Sequence, residues 1–382
     1  MPQLPAFREP LHVGRPNIGD RDRLRERIDA ALDRRWLSSG PLVRELEERV
    51  AALAGTRHAV ATCNATIGLQ LAARAVGIEP GAEVIVPAFT WVATPHALGW
   101  IGITPVFCDV DEETGNIDPA HAEKLIGPAT GGILGVHVFG RPCPVDELTA
   151  LAEHRGVPLF FDAAHGLGST YRGRPVGGFG AAEVFSFHAT KFINSFEGGA
   201  VVTDDPETAA RARAMRNFGI QDDGQVGTAG TNAKLSEASA AMGLTSLESM
   251  DDLMAHNLAN QRAYEDGLGD LPGVTVRRQE PGERANHQYV VIEIDEAVAG
   301  VHRDRVHAVL SERNVLSRRY FHPSCHQVEP YRSSPGTHAP LPLPHAEALS
   351  ERVLSLPTGS AVDATDIAGV CDIVRWAVQN RG

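Results

Sequence analysis

Phe160-Phe161-Asp162-Ala163-Ala164-His165 sets a carboxylate at the end of an apolar run, and Ser186-Phe187-His188-Ala189-Thr190-Lys191 sets an amine just after another. A carboxylate in that position either caps the next helix or faces a cation beyond a sheet. A pyridinium nitrogen is one such cation. An amine at a strand-to-loop junction is either a solvated charge or a group that condenses with a carbonyl. Lysine occurs only at Lys124, Lys191 and Lys234, and the rest of the 35 basic residues are arginine. A lysine in such a chain is a chance survivor, or it stands where a guanidinium cannot serve, because only an amine forms an imine.

Further groups fall around this pair. Asn64-Ala65-Thr66 lies between a strand-like run and a helical one. Free N–H groups at a helix start bind anions, so a phosphate could dock there with Ser186 as a hydroxyl donor. The chain has no Walker A motif, and Gly177-Gly178-Phe179-Gly180 precedes a strand instead of following one, which excludes a dinucleotide fingerprint. Trp91 follows another apolar run and either packs in the core or stacks on a flat ring. His322, Cys325 and His326 lack the paired spacing of zinc sites, so no metal is expected.

Such groups need a scaffold that gathers them. Seven short apolar runs, at 58–62, 83–87, 105–110, 132–138, 158–162, 184–187 and 200–203, alternate with helical stretches such as 66–76, 120–126 and 145–154. That alternation predicts an α/β fold with a mostly parallel sheet flanked by helices. Runs that are apolar throughout imply burial on both faces. Ligands bind beyond the carboxyl ends of such strands, where Thr66, Asp162, His165 and Ser186 fall. Residues 20–35 and 41–54 read as surface helices, and a long helical pattern runs from about Ala233 to Gly267. A strand at 288–294 and helices at 303–313 and 363–379 then describe a smaller α+β domain. The expected division is 1–245 and 246–382. The Pro/His-rich stretch 322–344 reads as a long functional loop.

Composition narrows the classes. The 382 residues are 43% hydrophobic and 22% charged, ordinary for a folded soluble protein, with room for a sizeable core. A net charge of −13 without a basic run argues against nucleic-acid binding. No stretch approaches ~18 apolar residues, and the first ten residues have no apolar leader, so neither membrane span nor signal peptide is expected. Five scattered cysteines suit a reducing cytoplasm.

Taken in order, these motifs resemble the DegT/DnrJ/EryC1/StrS sugar aminotransferases, which are fold-type I enzymes dependent on pyridoxal 5′-phosphate (PLP). Gly14-Arg15-Pro16-Asn17, Trp36 to Gly40, Phe161 to Gly166, Ser186 to Lys191 with Glu197-Gly198-Gly199, and Gly230 to Glu237 carry the likeness across nearly the whole chain. The resemblance implies that Lys191 holds PLP as an imine and Asp162 pairs with the pyridine nitrogen. It places His165 near the ring face or its 3-oxygen, Trp91 against the ring, and Ala65, Thr66 and Ser186 on the phosphate. Asn232 would reach the cofactor phosphate of the neighbouring subunit, which implies a homodimer with shared sites. Ser38, Ser39, Arg216, Arg319, Tyr320, His322 and His326 are the candidates for holding substrate.

Some members carry histidine in place of the PLP lysine and dehydrate sugars; Lys191 separates this chain from them. The Ser186–Lys191 motif with Asn194 to Gly199 looks more like the branch aminating C4 of dTDP-4-keto-6-deoxyglucose than the branch aminating C3. The implied reaction takes the amino group of L-glutamate, leaves the cofactor as pyridoxamine phosphate (PMP), and passes the amine to the keto sugar. The family often serves bacterial deoxysugar and antibiotic biosynthesis. The alternatives are a 3-keto sugar nucleotide or keto-cyclitol aminotransferase, a cysteine desulfurase-like lyase, or a PLP-binding regulatory protein without catalysis.

Overall fold

A computed structural model describes residues 5–380. Its centre is a seven-stranded sheet. The strands are β1 (His58–Thr62), β2 (Glu83–Pro87), β3 (Thr104–Cys108), β4 (Thr130–Val136), β5 (Leu159–Asp162), β6 (Glu183–Ser186) and β7 (Gly199–Thr203). Their spatial order is β1-β7-β6-β5-β4-β2-β3. All neighbours are parallel except those of β7, which runs antiparallel to both β1 and β6. Side chains alternate faces along a strand. Phe161 and Phe185 therefore join one buried cluster, while Phe160 and Val184 join the cluster on the opposite face.

Helices cover both faces: α1 (Arg21–Arg34), α2 (Pro41–Ala54), α3 (Ala65–Ala75), α4 (Ala93–Gly99), α5 (Pro119–Leu125), α6 (Val145–Arg155), α7 (Pro206–Arg216) and α8 (Glu237–Glu248). The start of α2 has no side-chain cap of its own. Instead the fully buried Glu237 carboxylate accepts from the N–H groups of Gly40, Leu42 and Val43 at 2.9, 3.0 and 3.0 Å. An anion at a helix N-terminus is stabilised by the helix dipole. This contact fixes the strap that carries Ser38 and Ser39.

The long helix expected from about Ala233 is not continuous. Residues 233–236 are not helical, and Ser236 caps α8 by accepting from the Ser239 N–H at 3.0 Å. Ser249, at φ −99° and ψ 7°, then separates α8 from α9 (Met250–Leu268). An apolar pattern that persists across one non-helical residue hides such a break. The turn sends α9 onto a second, antiparallel sheet of β8 (Val274–Val276), β9 (Val290–Ile294) and β10 (Val353–Leu356). That sheet shares a third apolar cluster with α9, α10 (Arg303–Glu312) and α12 (Ala364–Gln379), and α11 (Pro344–Arg352) precedes β10. Leu11–His12 pairs in parallel with Val315–Leu316, which brings these two residues beside the segment that follows α10.

Candidate active site

Beyond the carboxyl ends of β5 and β6 lies a cavity of about 260 Å³. Its lining includes Ala65, Thr66, Trp91, Asp162, His165, Ser186, Lys191, Tyr289, Tyr320 and Phe321. Chain positions from 65 to 321 thus converge at one place, and every cofactor-contact candidate except Asn232 is among them.

Asp162 closes β5 and is 5% exposed. Its carboxylate accepts from Thr94 Oγ at 2.7 Å and from the Ala164 N–H at 3.0 Å. Burial pushes its pKa up, while those two hydrogen bonds and the Lys191 charge oppose the rise. A carboxylate held this way is pre-aimed at a cation. Lys191 lies in the turn after β6, and its Nζ donates to Tyr289 Oη at 3.1 Å. Burial pulls the Lys191 pKa down to about 8 against the attraction of Asp162. The amine thus offers a free lone pair far nearer neutrality than an exposed lysine does.

This shift has a direct readout. On cofactor-free protein, labelling of Lys191 by an amine-directed reagent is expected to rise with pH through a midpoint near 8. Peptide mass spectrometry measures it, with Lys124 and Lys234 as references in the same digest. A midpoint at the ordinary value of 10.5 would show that burial does not act on this amine.

His165 lies beside two stacked rings, nearly parallel to Phe139 (centroids 6.3 Å apart, 7°) and to Phe321 (6.2 Å, 9°). Its Nδ1 accepts from the Phe139 N–H at 3.2 Å, so the proton of the neutral ring resides on Nε2. Burial, then the Lys191 charge, hold its pKa well below the usual histidine range. His165 is therefore a neutral donor through Nε2.

At the far end, α3 begins. Asn64 caps it by accepting from the Ile67 N–H at 2.9 Å, and the Ala65 and Thr66 N–H groups have no intrahelical acceptor. A Cβ on Gly199 would stand 2.7 Å from the Ala65 nitrogen, so only glycine lets β7 approach the helix start this closely. Ser186 completes this end of the cavity. Trp91 is 52% exposed and meets Tyr320 edge-on at 5.7 Å.

These residues fit PLP. An anion cradle of helix-start N–H groups lies at one end, a buried carboxylate suits a pyridinium, and a depressed-pKa amine and an aromatic wall complete the set. Among the described residues no group of acidic, histidine or cysteine side chains could hold a metal ion.

Several candidates lie elsewhere. Arg216 donates to the Glu47 carboxylate and to the Ala61 carbonyl, at 2.8 Å for the latter, and borders a separate groove together with Ser39. Ser38 is exposed and bridged to Ser236. Arg319 pairs with Asp304 at 3.1 Å, His322 faces Glu351 at 3.3 Å, and His326 meets Glu347 at 3.0 Å. None of these six lines the cavity; of the substrate candidates only Tyr320 does. Asn232 is exposed, bridged to Asn217, and also outside it. Cys325 is buried, donates to the Thr90 carbonyl at 3.1 Å, and has its pKa pushed up to about 12, which leaves it an unreactive thiol.

The motifs did not single out Tyr289 and Phe321, which line the cavity, or Thr94, which holds the Asp162 carboxylate from outside it. Thr94 had one local signal, its place three residues after Trp91. Tyr289 had none beyond heading an apolar strand.

The chain matches the DegT/DnrJ/EryC1/StrS aminotransferase family over residues 19–375. It is similar to the solved structure of DesI in the presence of its TDP-sugar product, with 56% identity over 99% of this chain and 95% of that one, at a TM-score of 0.94. S. venezuelae DesV, solved in complex with a ketimine intermediate, is 33% identical over 95% of this chain and 99% of that one, at a TM-score of 0.87. Helicobacter pylori PseC, an aminotransferase involved in the biosynthesis of pseudoaminic acid, is 27% identical over 97% of this chain and 100% of that one, at a TM-score of 0.89. The chain belongs to the DegT/DnrJ/EryC1/StrS family and is a PLP-dependent aminotransferase.

Proposed function

We propose that this enzyme moves the amino group of L-glutamate to C4 of dTDP-4-keto-6-deoxyglucose, giving dTDP-4-amino-4,6-dideoxyglucose, as a homodimer with shared sites in the cytoplasm. The observation that carries the substrate class is the 56% identity, over 99% of the chain, to DesI with its TDP-sugar product. The choice of C4 rests on the likeness of Ser186–Lys191 and Asn194 to Gly199 to that branch of the family. Among the described residues no helix is long and apolar enough to cross a membrane.

PLP supplies a carbonyl carbon that condenses with amines and a ring that takes up electrons when protonated at nitrogen. The chain's residues then have distinct tasks. Lys191 Nζ anchors the cofactor. Asp162 keeps the pyridine proton in place, and Thr94 and the Ala164 N–H hold Asp162 ionised and oriented. Ala65, Thr66 and Ser186 receive the phosphate. His165 donates from Nε2, and Trp91 closes one face. Once displaced, Lys191 Nζ would be the base that takes the α-proton of glutamate and, as the ammonium, the acid that gives it up again. The keto sugar enters after the keto acid leaves, so donor and acceptor use one cavity in turn and the kinetics are ping-pong. Asn232 is exposed and outside its own chain's cavity, which agrees with service to a neighbouring subunit.

The test is product analysis. Purified enzyme with L-glutamate and dTDP-4-keto-6-deoxyglucose is expected to yield stoichiometric 2-oxoglutarate and an amino sugar whose new nitrogen is on C4 by NMR. Turnover of a 3-keto isomer or a keto-cyclitol in its place would overturn the substrate assignment and leave the aminotransferase intact. A PLP-binding protein that turns over none of them, and does not convert its cofactor with any amino donor, would be the regulatory alternative.

A further inference from the structure

The reading of Lys191 as proton carrier raises a mechanical question. After displacement its flexible stem must keep the amine between two carbons. The contact that answers it comes from the residue before β9. Tyr289 Oη accepts from Lys191 Nζ at 3.1 Å, and the amine also lies 5.4 Å from the centre of the Tyr289 ring. That ring is fixed by His165 at 4.7 Å, Phe139 at 5.8 Å and Tyr320 at 6.2 Å.

The backbone carrying Tyr289 is tied to the turn that follows Asp162. Asn286 is fully buried, and its Nδ2 donates to the carbonyls of His165 and Leu167 at 2.7 and 2.9 Å. Gln288 Nε2 donates to the same His165 carbonyl at 3.0 Å, and the Gln288 N–H donates to Asn286 Oδ1 at 3.0 Å. Asn257 of α9 secures the Asn286 carbonyl at 3.0 Å. Five hydrogen bonds in a low-dielectric interior make this junction stiff. A surface linker between domains needs no such lock.

We propose that Tyr289 is a positioning residue for proton transfer: its hydroxyl holds the Lys191 amine whenever that amine is not bonded to the cofactor, and the Asn286–Gln288 ties hold the hydroxyl. The inference rests on the aminotransferase reading above. The proton balance is simple. Lys191 Nζ gains a proton from the first carbon and gives it to the second. Tyr289 keeps its own proton throughout, accepting one N–H of the ammonium and donating to the lone pair of the neutral amine. Burial raises the pKa of its hydroxyl, consistent with a phenol that stays protonated.

The experiment uses the full chain with Tyr289→Phe, which keeps the ring and its packing. Three measurements are made: the single-turnover rate of the glutamate half-reaction, the KM for glutamate, and the pH midpoint of Lys191 labelling on cofactor-free protein. Asp162, His165 and Tyr289 are the titratable groups facing that amine. Loss of a charge-assisted hydrogen bond is expected to slow the half-reaction about tenfold to a hundredfold. KM should stay within about twofold, because uniform binding is untouched. The labelling midpoint should fall below that of the unmodified enzyme, since the ammonium loses an acceptor. Gln288→Leu, which keeps the tyrosine but cuts one tie, should show the same pattern more weakly. An unchanged half-reaction rate or an unchanged midpoint in Tyr289→Phe overturns the proposal, and so does a collapse of thermal stability, which would make the hydroxyl a packing element. If the unmodified enzyme takes up no PLP, the aminotransferase reading falls instead, and the two labelling midpoints still decide whether Tyr289 holds Lys191.

Discussion

Replacing Lys191 by alanine is expected to abolish amino transfer while the protein remains folded. The side chain makes one hydrogen bond, to Tyr289 Oη, and the backbone bond from its N–H to the His188 carbonyl survives truncation. Removing an amine whose charged form is disfavoured by burial should change stability by no more than roughly 1 kcal/mol. Turnover loses two things together: the covalent anchor for PLP, and a proton carrier worth about 10²–10⁴-fold in rate. Lys191→Arg should be equally inactive, because a guanidinium neither forms the imine nor gives up its proton near neutrality. Small primary amines added to Lys191→Ala should restore part of the half-reaction by acting as diffusible bases. The check is stopped-flow absorbance of the glutamate half-reaction beside a thermal unfolding curve. Retention of more than a tenth of the turnover in Lys191→Ala would remove this residue from the chemistry.

Asp162 was legible because it ends β5, which is apolar up to that residue, and Lys191 because it follows a strand in a chain with only three lysines. The runs His58–Thr62 and Glu83–Pro87 coincide with β1 and β2, since burial on both faces leaves no alternation to confuse with a helix. Once the strands are placed, the polar residue after each must face the sheet's carboxyl edge. The strand expected at 288–294 coincides with β9, but its shorter neighbours β8 and β10 were not legible. Four-residue β10 follows α11 without a break and carries no turn signal. The substrate candidates show a different limit. Arg216, Arg319, His322 and His326 have suitable chemistry, but each is matched to an acid distant in sequence or hidden by the fold: Glu47, Asp304, Glu351 and Glu347. Nothing near Arg216 in the chain announces Glu47. Tyr289 likewise meets Lys191 only through tertiary structure, since the Asn286 and Gln288 ties reach across to the His165 carbonyl. Motif spacing reports groups that one segment delivers; pairs made by segments distant in sequence leave no spacing to read.

Asp162→Asn is expected to cost about 10²–10³-fold in the half-reaction, the scale of losing one preorganised electrostatic partner. The substitution is close to isosteric. With its oxygen toward the Ala164 N–H and its amide nitrogen toward Thr94 Oγ, asparagine keeps both neighbours, so stability should change little. What disappears is the negative charge. A neutral amide gives no electrostatic support to a protonated pyridine nitrogen, so electrons are drawn less strongly from the α-carbon bond and that proton becomes harder to remove. The phosphate cradle at the start of α3 is untouched, and PLP should still bind. A second consequence separates this account from a general loss of structure. The Asp162 charge raises the Lys191 pKa, so its removal should move the labelling midpoint further below about 8. The two effects carry opposite signs for reactivity: the amine is freer at neutral pH, yet turnover falls. Slower turnover with a lowered midpoint is the expected pair. Activity within tenfold of the unmodified enzyme would mean that the pyridine nitrogen is held elsewhere. A midpoint that does not move would mean that the Asp162 charge does not reach Lys191.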